Sequence, residues 1–328
     1  MGLTASFIIP VYNGERYLDA CIANILSQTM KLDTIEAIFV NDGSVDGSLT
    51  ILRDYADKHP DLIRVVTQKN MGAGEARNKA IKIAQGDYII PIDCDDVINK
   101  DYASVLVDTI SKTDADYAIS GYNTVNEKFD RLTTILPKDD YFTRFRLTLT
   151  CGKIYRKTFL TKNNITYTRS YIMEDPYFNV ICAMKARTVS VVKYAGYDVI
   201  MRPKVKGQLT SSTMIRDNNP YIQEMINGFI ANNKEFAQKQ PSIFRYILAK
   251  FTFNNLLANK LSYSDARKGL NGQLALIGNA GYSLRAGDLF FGTKGESIIT
   301  KTIIGSLALM YKFGLLGIFY KMYVRFLG

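Results

Sequence analysis

Short apolar runs alternate with helix-period segments through the first hundred residues, and that alternation restricts the fold more than any other feature. Ser6-Phe-Ile-Ile-Pro-Val11 reads as a buried strand, and residues 16–28 read as a helix with Leu18, Ile22 and Ile25 at helical spacing. The pattern continues with a strand over 35–40, a helix over 48–58, a strand over 63–67, a helix over 74–85 and a strand over 88–92. A βαβα order predicts an α/β fold with a parallel sheet and helices on both faces. In such sheets ligands sit beyond the carboxyl ends of the strands. Asp42 and the cluster Asp93-Cys-Asp-Asp96 both fall at predicted carboxyl ends.

Composition narrows the chemistry. With 47% hydrophobic and 22% charged residues in 328, the chain is an ordinary globular protein of one large domain or two, not a disordered or collagen-like one. Four scattered cysteines without a CxxC pair, and His59 as the single histidine, argue against a Cys/His metal site and predict reduced, mostly buried thiols. His59 sits in a loop-like Lys-His-Pro, so catalysis must run on carboxylates. The opening Met1–Ser6 carries no basic stretch of a secretory leader, which predicts a cytoplasmic product.

The net charge of +10 is unevenly placed. Residues 1–100 hold 10 Lys/Arg against 14 Asp/Glu, whereas residues 241–328 hold 11 against 3. An acidic front and a basic tail do not suit a nucleic-acid groove, so no nucleic-acid partner is expected. Basic charge beside apolar helices suits an anionic membrane surface, and equally a solvated basic face. After 219 the chain turns helical, with helices expected over 220–238, 242–261 and 264–278, the last with Ser264 as N-cap. In the tail, 298–327, Lys301, Gly305, Ala308 and Lys312 form a small-or-charged stripe, and Gly314, Gly317, Lys321 and Arg325 form a second one. The stripes do not share a helix face, which predicts a bend near Phe313–Gly314. The tail reads either as an amphipathic element on a membrane surface or as an apolar helix buried in a homo-oligomer.

Each acidic segment is weak by itself. Asp93-x-Asp95 can direct oxygens toward a hard divalent cation, but acidic turns are common. Asp42 lies in Asp-Gly-Ser, which is also good turn chemistry. Asn70-Met-Gly-Ala-Gly-Glu-Ala-Arg-Asn78 sets two glycines before a helix carrying Arg77, useful near phosphates, yet it matches neither a P-loop nor a dinucleotide fingerprint. Taken in order, Pro10-Val-Tyr-Asn13, Asn41-Asp-Gly-Ser-Val-Asp-Gly47, Gly72-x-Gly-x-Ala-Arg-Asn78 and Asp93-Cys-Asp-Asp96 resemble the nucleotide-binding half of family 2 glycosyltransferases of the GT-A fold. The resemblance continues more loosely through Gly152-Lys-Ile-Tyr-Arg156 and Glu174-Asp-Pro176.

The resemblance implies a GT-A domain with a nucleotide-sugar-binding half (1–98) and an acceptor half (99–215); the helical region that follows (216–328) is read from the residues and carries no family resemblance. It also implies an inverting transfer of a hexose or N-acetylhexosamine from a UDP-sugar donor to a lipid-linked or cell-envelope glycan acceptor, at the inner membrane face. By that resemblance Pro10, Tyr12 and Asp42 hold the uracil, Asp93 faces the ribose or sugar, and Arg77 sits near the diphosphate or sugar. Asp95 ligates Mn2+ or Mg2+, Asp175 is the general base and Glu174 supports the acceptor hydroxyl. Asn41 stands where the family often has another Asp. A loop over 203–216 with Lys204 and Lys206 is a further expectation, as a lid or as a solvated basic loop. Two other classes remain open: a sugar-nucleotide nucleotidylyltransferase, which normally carries a basic Gly-rich loop after its first strand, and a non-catalytic nucleotide- or membrane-binding scaffold.

Overall fold

The computed structural model describes residues 2–169, 173–202, 219–258 and 263–283, with isolated positions between 302 and 317. It divides into two compact units, Met1–Arg169 with Glu174–Lys204, and Ser170–Met173 with Val205–Gly328.

In the first unit the expected alternation appears as β1 (Ala5–Val11), α1 (Glu15–Leu26), β2 (Ile35–Asn41), α2 (Ser48–Lys58), β3 (Ile63–Thr67), α3 (Ala73–Ile83) and β4 (Tyr88–Pro91). There follow β5 (Val97–Ile98), α4 (Tyr102–Lys112), β6 (Tyr117–Ile119), β7 (Tyr122–Val125), β8 (Arg131–Ile135), α5 (Thr143–Arg146) and β9 (Lys153–Arg156). The unit closes with α6 (Lys157–Lys162), α7 (Glu174–Lys185), β10 (Val189–Val191) and β11 (Tyr197–Ile200). A seven-stranded sheet runs in the order β10-β6-β9-β4-β1-β2-β3. Strands β3, β2, β1 and β4 are mutually parallel, and β9 enters antiparallel between β4 and β6. Because the first four strands share one direction, Tyr12, Asp42, Gln68 and Asp93–Asp96 all emerge at one edge.

Side chains of successive strand residues point to opposite faces. On β1, Ala5, Phe7, Ile9 and Val11 join Leu18, Ile22 and Ile25 of α1 and Tyr102, Leu106 and Ile110 of α4 in one core. The other face of β1 packs against α3, which supplies Ala76 and Ala80. Every residue of β1 and β2 is buried, as near-continuous apolar strands require.

The apolar stretch over 117–122 belongs to two strands, β6 and β7. Ser120 donates its N–H to the Gly152 carbonyl and Gly121 to that of Tyr194, and the chain crosses there from the large sheet to a four-stranded sheet ordered β5-β11-β7-β8. His59 ends α2, its carbonyl accepting from Leu62 and Ile63 in the turn to β3. All four cysteines are free, three of them buried.

The second unit holds α8 (Asn219–Asn232), α9 (Lys234–Lys239), α10 (Pro241–Ala258) and α11 (Tyr263–Asn279). The helix expected over 220–238 breaks at Asn233, whose backbone leaves helical geometry (φ −128°) while its side chain donates to the Phe229 carbonyl at 2.7 Å. Phe229 stacks on Phe244 and meets Phe251 edge-on. Because α11 already runs at Tyr263, Ser264 lies within its first turn and is not its cap. The bend expected near Phe313–Gly314 is present: Gly314 has φ +71°, Phe313 N–H reaches the Leu309 carbonyl and Leu315 N–H that of Met310, a helix-ending arrangement that favours glycine. Most other positions of the tail, and the whole loop over 203–216, lie outside the described residues. Among the described residues no helix is long and apolar enough to cross a membrane.

Glu36 is a charge inside this sheet, 1% exposed on β2. It accepts from Ser6 Oγ (2.7 Å), the Gln85 N–H (2.5 Å) and Arg64 Nη1 (2.9 Å). Burial disfavours its charge, but these donors outweigh burial and hold the carboxyl below its usual range. Glu36→Ala strips the acceptor from Ser6 Oγ and the Gln85 N–H and leaves Arg64 only the Ile83 carbonyl, and is expected to cost about 3 kcal/mol in urea unfolding at pH 7. Since a depressed carboxyl stabilises only while ionised, the deficit should shrink below about pH 4. A deficit unchanged in acid would assign the loss to packing.

Candidate functional site

The two loops at the ends of β1 and β2 are laced together. Asn13 Oδ1 accepts the Val45 N–H, Ser44 Oγ the Asn13 N–H, Ser48 Oγ the Gly14 N–H, and Glu15 Oε2 the Gly47 N–H. Pro10 is buried within β1, and Tyr12 beyond it leaves its ring 39% exposed. Asp42 is 3% exposed and takes three donors: Gln68 Nε2, the Met71 N–H and the Gly72 N–H, each at 2.8 Å. Asp42 therefore holds the β3–α3 loop in addition to facing the sheet edge.

The glycine-rich motif has a structural task of its own. Gly72, at φ +89°, turns the chain into α3 and donates to Asp42. A Cβ on Gly74 would stand 2.8 Å from the Thr168 carbonyl and 3.4 Å from Glu174 Cβ, so its bare backbone lets the segment preceding α7 approach α3. Asn78 clamps that segment, accepting the Tyr167 N–H at 2.8 Å and donating to the Tyr167 carbonyl at 3.0 Å. The glycine-rich segment thus also docks α3 against the stretch of chain that leads to α7.

Arg77 is the product of that docking. It is 4% exposed, donates through Nη2 to Asp93 Oδ1 (2.5 Å) and through Nη1 to Asp175 Oδ1 (3.0 Å), and lies 5.3 Å over the Tyr167 ring. One guanidinium therefore joins the end of β4 to the first turn of α7. Asp175 Oδ2 accepts the Thr150 N–H at 3.2 Å. The amino end of a helix favours an ionised carboxylate. Glu174 beside it has Oε2 buried without a hydrogen-bond partner among the described residues. Burial, then the charge of Asp175, push its carboxyl up to about 7.

The other two acidic residues at the end of β4 have separate tasks. Asp96 is 9% exposed and accepts Tyr197 Oη at 2.9 Å and the Ile200 N–H at 3.0 Å, tying β11 to the sheet edge. Asp95 keeps 40% of its side chain exposed, and its Oδ2 pairs with Arg202 Nη1 at 2.7 Å. Arg202 also donates to the Asp95 carbonyl and lies 4.3 Å over the Tyr17 ring. Among the described residues no three His, Cys, Asp or Glu side chains surround one point. A divalent ion here would draw on Asp95 and on ligand and water oxygens, a donor set that suits Mg2+ or Mn2+.

The structure thus brings Arg77, Asp93, Glu174 and Asp175 together, sets Asp95 two residues along, and places Asp42 at the other end of the loop entering α3. Sequence reading missed Arg202, Tyr17, Tyr167 and Thr150. No local pattern marks them, because each becomes a site residue only through a partner far along the chain.

Comparison with known proteins agrees with this architecture. The family model for glycosyl transferase family 2 matches residues 6–174. A poly(ribitol-phosphate) beta-glucosyltransferase of Bacillus spizizenii is 29% identical over 257 residues, which cover 76% of this chain and 40% of that protein. The putative glycosyltransferase EpsH of Bacillus subtilis is 30% identical over 241 residues, covering 67% of this chain and 69% of EpsH. The chain thus spans well under half the length of the first of these relatives and about two thirds of the second. Among solved structures, residues 1–349 of Staphylococcus aureus TarS in complex with UDP-GlcNAc superpose with a TM-score of 0.68 at 19% identity, over 98% of this chain and 92% of TarS 1–349.

Glu174 supplies a pH test of the site. The folded chain keeps this proton up to about pH 7, whereas a free carboxyl loses it near 4.5. Across that window the folded state binds more protons, so this group lowers stability as pH rises. Glu174→Gln removes the effect, and its melting temperature relative to the parent should rise between pH 5 and pH 7.5. A difference that stays constant would mean that Glu174 is charged in the fold throughout.

Proposed function

Because the chain belongs to glycosyl transferase family 2, we propose that it moves a hexose or N-acetylhexosamine from a UDP-sugar to a hydroxyl of a lipid-linked or cell-envelope glycan, with inversion. The observation that carries this reading is the Arg77 bridge, which sets Asp175 against the carboxylates at the end of β4. The relatives named for transfer to poly(ribitol-phosphate), and the TarS complex with UDP-GlcNAc, support the donor and acceptor classes.

In this mechanism the uracil lies against Pro10, the exposed ring of Tyr12 and Asp42. A carboxylate has about four acceptor positions, and three donors already occupy Asp42, which leaves one for a ring N–H. Asp93 faces the ribose or sugar. Asp175 accepts the proton of the acceptor hydroxyl as that oxygen attacks the anomeric carbon, while the bond from that carbon to the diphosphate oxygen breaks on the opposite face. Glu174 beside it supports the acceptor hydroxyl. Asp95 holds Mn2+ or Mg2+, which when bound offsets the charge on the departing diphosphate. No covalent enzyme intermediate is required.

Asp175→Asn should lower turnover by at least about 10²-fold, the usual loss for a missing general base. UDP binding, read by calorimetry with manganese, should be retained. Near-normal turnover would move the base elsewhere, with Glu174 the first suspect.

The tail, 298–327, is the proposed contact with the inner face of the membrane. A chain ending near Glu296 should stay folded and no longer pellet with anionic vesicles. A drop from oligomer to monomer with pelleting intact would make the tail an assembly element.

A further inference from the structure

Lys153 is a buried cation that the transfer mechanism leaves unused. It lies on β9 at 1% exposure, and among the described residues no carboxylate comes within ion-pair distance of its ammonium. An ammonium in such a place is costly unless something takes up its charge. Its Nζ donates to the Leu149 carbonyl, four residues back across the turn that enters β9.

That carbonyl belongs to the same peptide group as the Thr150 N–H, and the Thr150 N–H donates to Asp175 Oδ2 at 3.2 Å. One amide is thus held at both ends, oxygen toward a cation and hydrogen toward a carboxylate. A charge on each side polarises a hydrogen-bonded amide and strengthens both bonds. The amide is fixed laterally as well. Thr150 Oγ1 stands 3.4 Å from both Tyr167 Oη and Asn179 Nδ2, and Asn179 accepts Tyr155 Oη at 2.6 Å. Asn179 Nδ2 donates in turn to the Asp175 carbonyl at 2.9 Å.

We propose that Lys153 is a positioning residue for the transfer step: through the Leu149–Thr150 peptide it fixes Asp175 Oδ2 and favours the ionised carboxylate, while Arg77 fixes Oδ1. The inference rests on the assignment of Asp175 as the base. Each carboxylate oxygen then keeps one acceptor position for the incoming hydroxyl, and the carboxylate plane cannot rotate away from it. Burial pulls the ammonium down to about 8, against the opposing pull of Asp175, so the charge is in place at neutral pH. The other groups facing this pair are Arg77 on α3, Asp93 beyond β4, Glu174 and Cys182 on α7, and Tyr167.

The test uses the full chain and UDP release from UDP-N-acetylglucosamine or UDP-glucose with water as the acceptor. Lys153→Met keeps the volume and removes the charge. Its kcat should fall about tenfold, the worth of one well-placed hydrogen bond, with KM for the donor unchanged within about twofold. The acid limb of its kcat profile should move to higher pH, because the base loses the cation on the far side of the amide. In an Asp175→Asn background the same substitution should have no further effect on the residual rate. Should Lys153→Met fail to fold, Lys153→Gln enters the same measurements, keeping a donor for the Leu149 carbonyl without the charge. An unchanged kcat and acid limb in the folded variant would overturn the proposal, as would an equal loss in the Asp175→Asn background. High turnover in Asp175→Asn itself would instead overturn the base assignment on which the proposal rests.

Discussion

The site depends on one buried guanidinium. At 4% exposure Arg77 cannot be carried without compensating charge, and its two terminal nitrogens take it from Asp93 and Asp175. The planar fork of arginine suits two carboxylates arriving from different directions, which a lysine ammonium could not hold in one plane. Arg77 and Asp175 are 98 residues apart and Arg77 and Asp93 only 16, so a single side chain fixes the distance between the two parts of the molecule that must face each other. The surroundings serve that geometry: Gly74 lets the chain approach α3, Asn78 clamps it, and the Tyr167 ring underlies the guanidinium.

Topology explains why the carboxylates arrive at the same place. Parallel pairing of β3, β2, β1 and β4 sends every strand end to one edge, whichever helix intervenes. The antiparallel β9 then brings the chain back between β4 and β6, so the residues just before it, Thr150 among them, return to that edge from the other direction. Asp96 joins β11 to the same edge through Tyr197 and the Ile200 N–H, and Arg202 follows two residues later to meet Asp95.

What could be read in advance follows from range. The first four strands and three helices, and the strand-end position of Asp42, Asp93 and Asp95, were legible because apolar period and turn chemistry are local signals. The break at Asn233 and the split of 117–122 were not, since each is decided by a partner: the Phe229 carbonyl in one case, the Gly152 and Tyr194 carbonyls in the other. The same holds at the site. Arg77 was legible as a site residue near the diphosphate or sugar, but its bond to Asp175 was not, because nothing near it in sequence announces that partner. Asp42 looked like a ligand or a turn residue, and its three donors make it hold a loop whatever else it contacts. Lys153 sits inside the Gly152–Arg156 motif, yet its burial comes from the sheet insertion of β9, which no periodicity announces.

The matching of charges around the edge leads to a last step. Asp93 and Asp175 share Arg77, Asp95 has Arg202, and Asp175 is backed by Lys153 through an amide. Glu174, among these acids, meets no cation within bonding distance among the described residues, and it is the acid whose proton burial retains to about pH 7. Among the described residues these pairings leave little spare positive charge for the nucleoside diphosphate of the proposed donor. The donor's negative charge must then be met either by an ion arriving with it or by a cation released from its carboxylate. Arg202 would be the better placed for release, since it pairs with the single carboxylate of Asp95, while Arg77 joins two carboxylates from separate elements. An ion held by Asp95 would compete with Arg202 for that carboxylate, and the ion and the freed guanidinium would both offset diphosphate charge, while Arg77 would keep its two carboxylates.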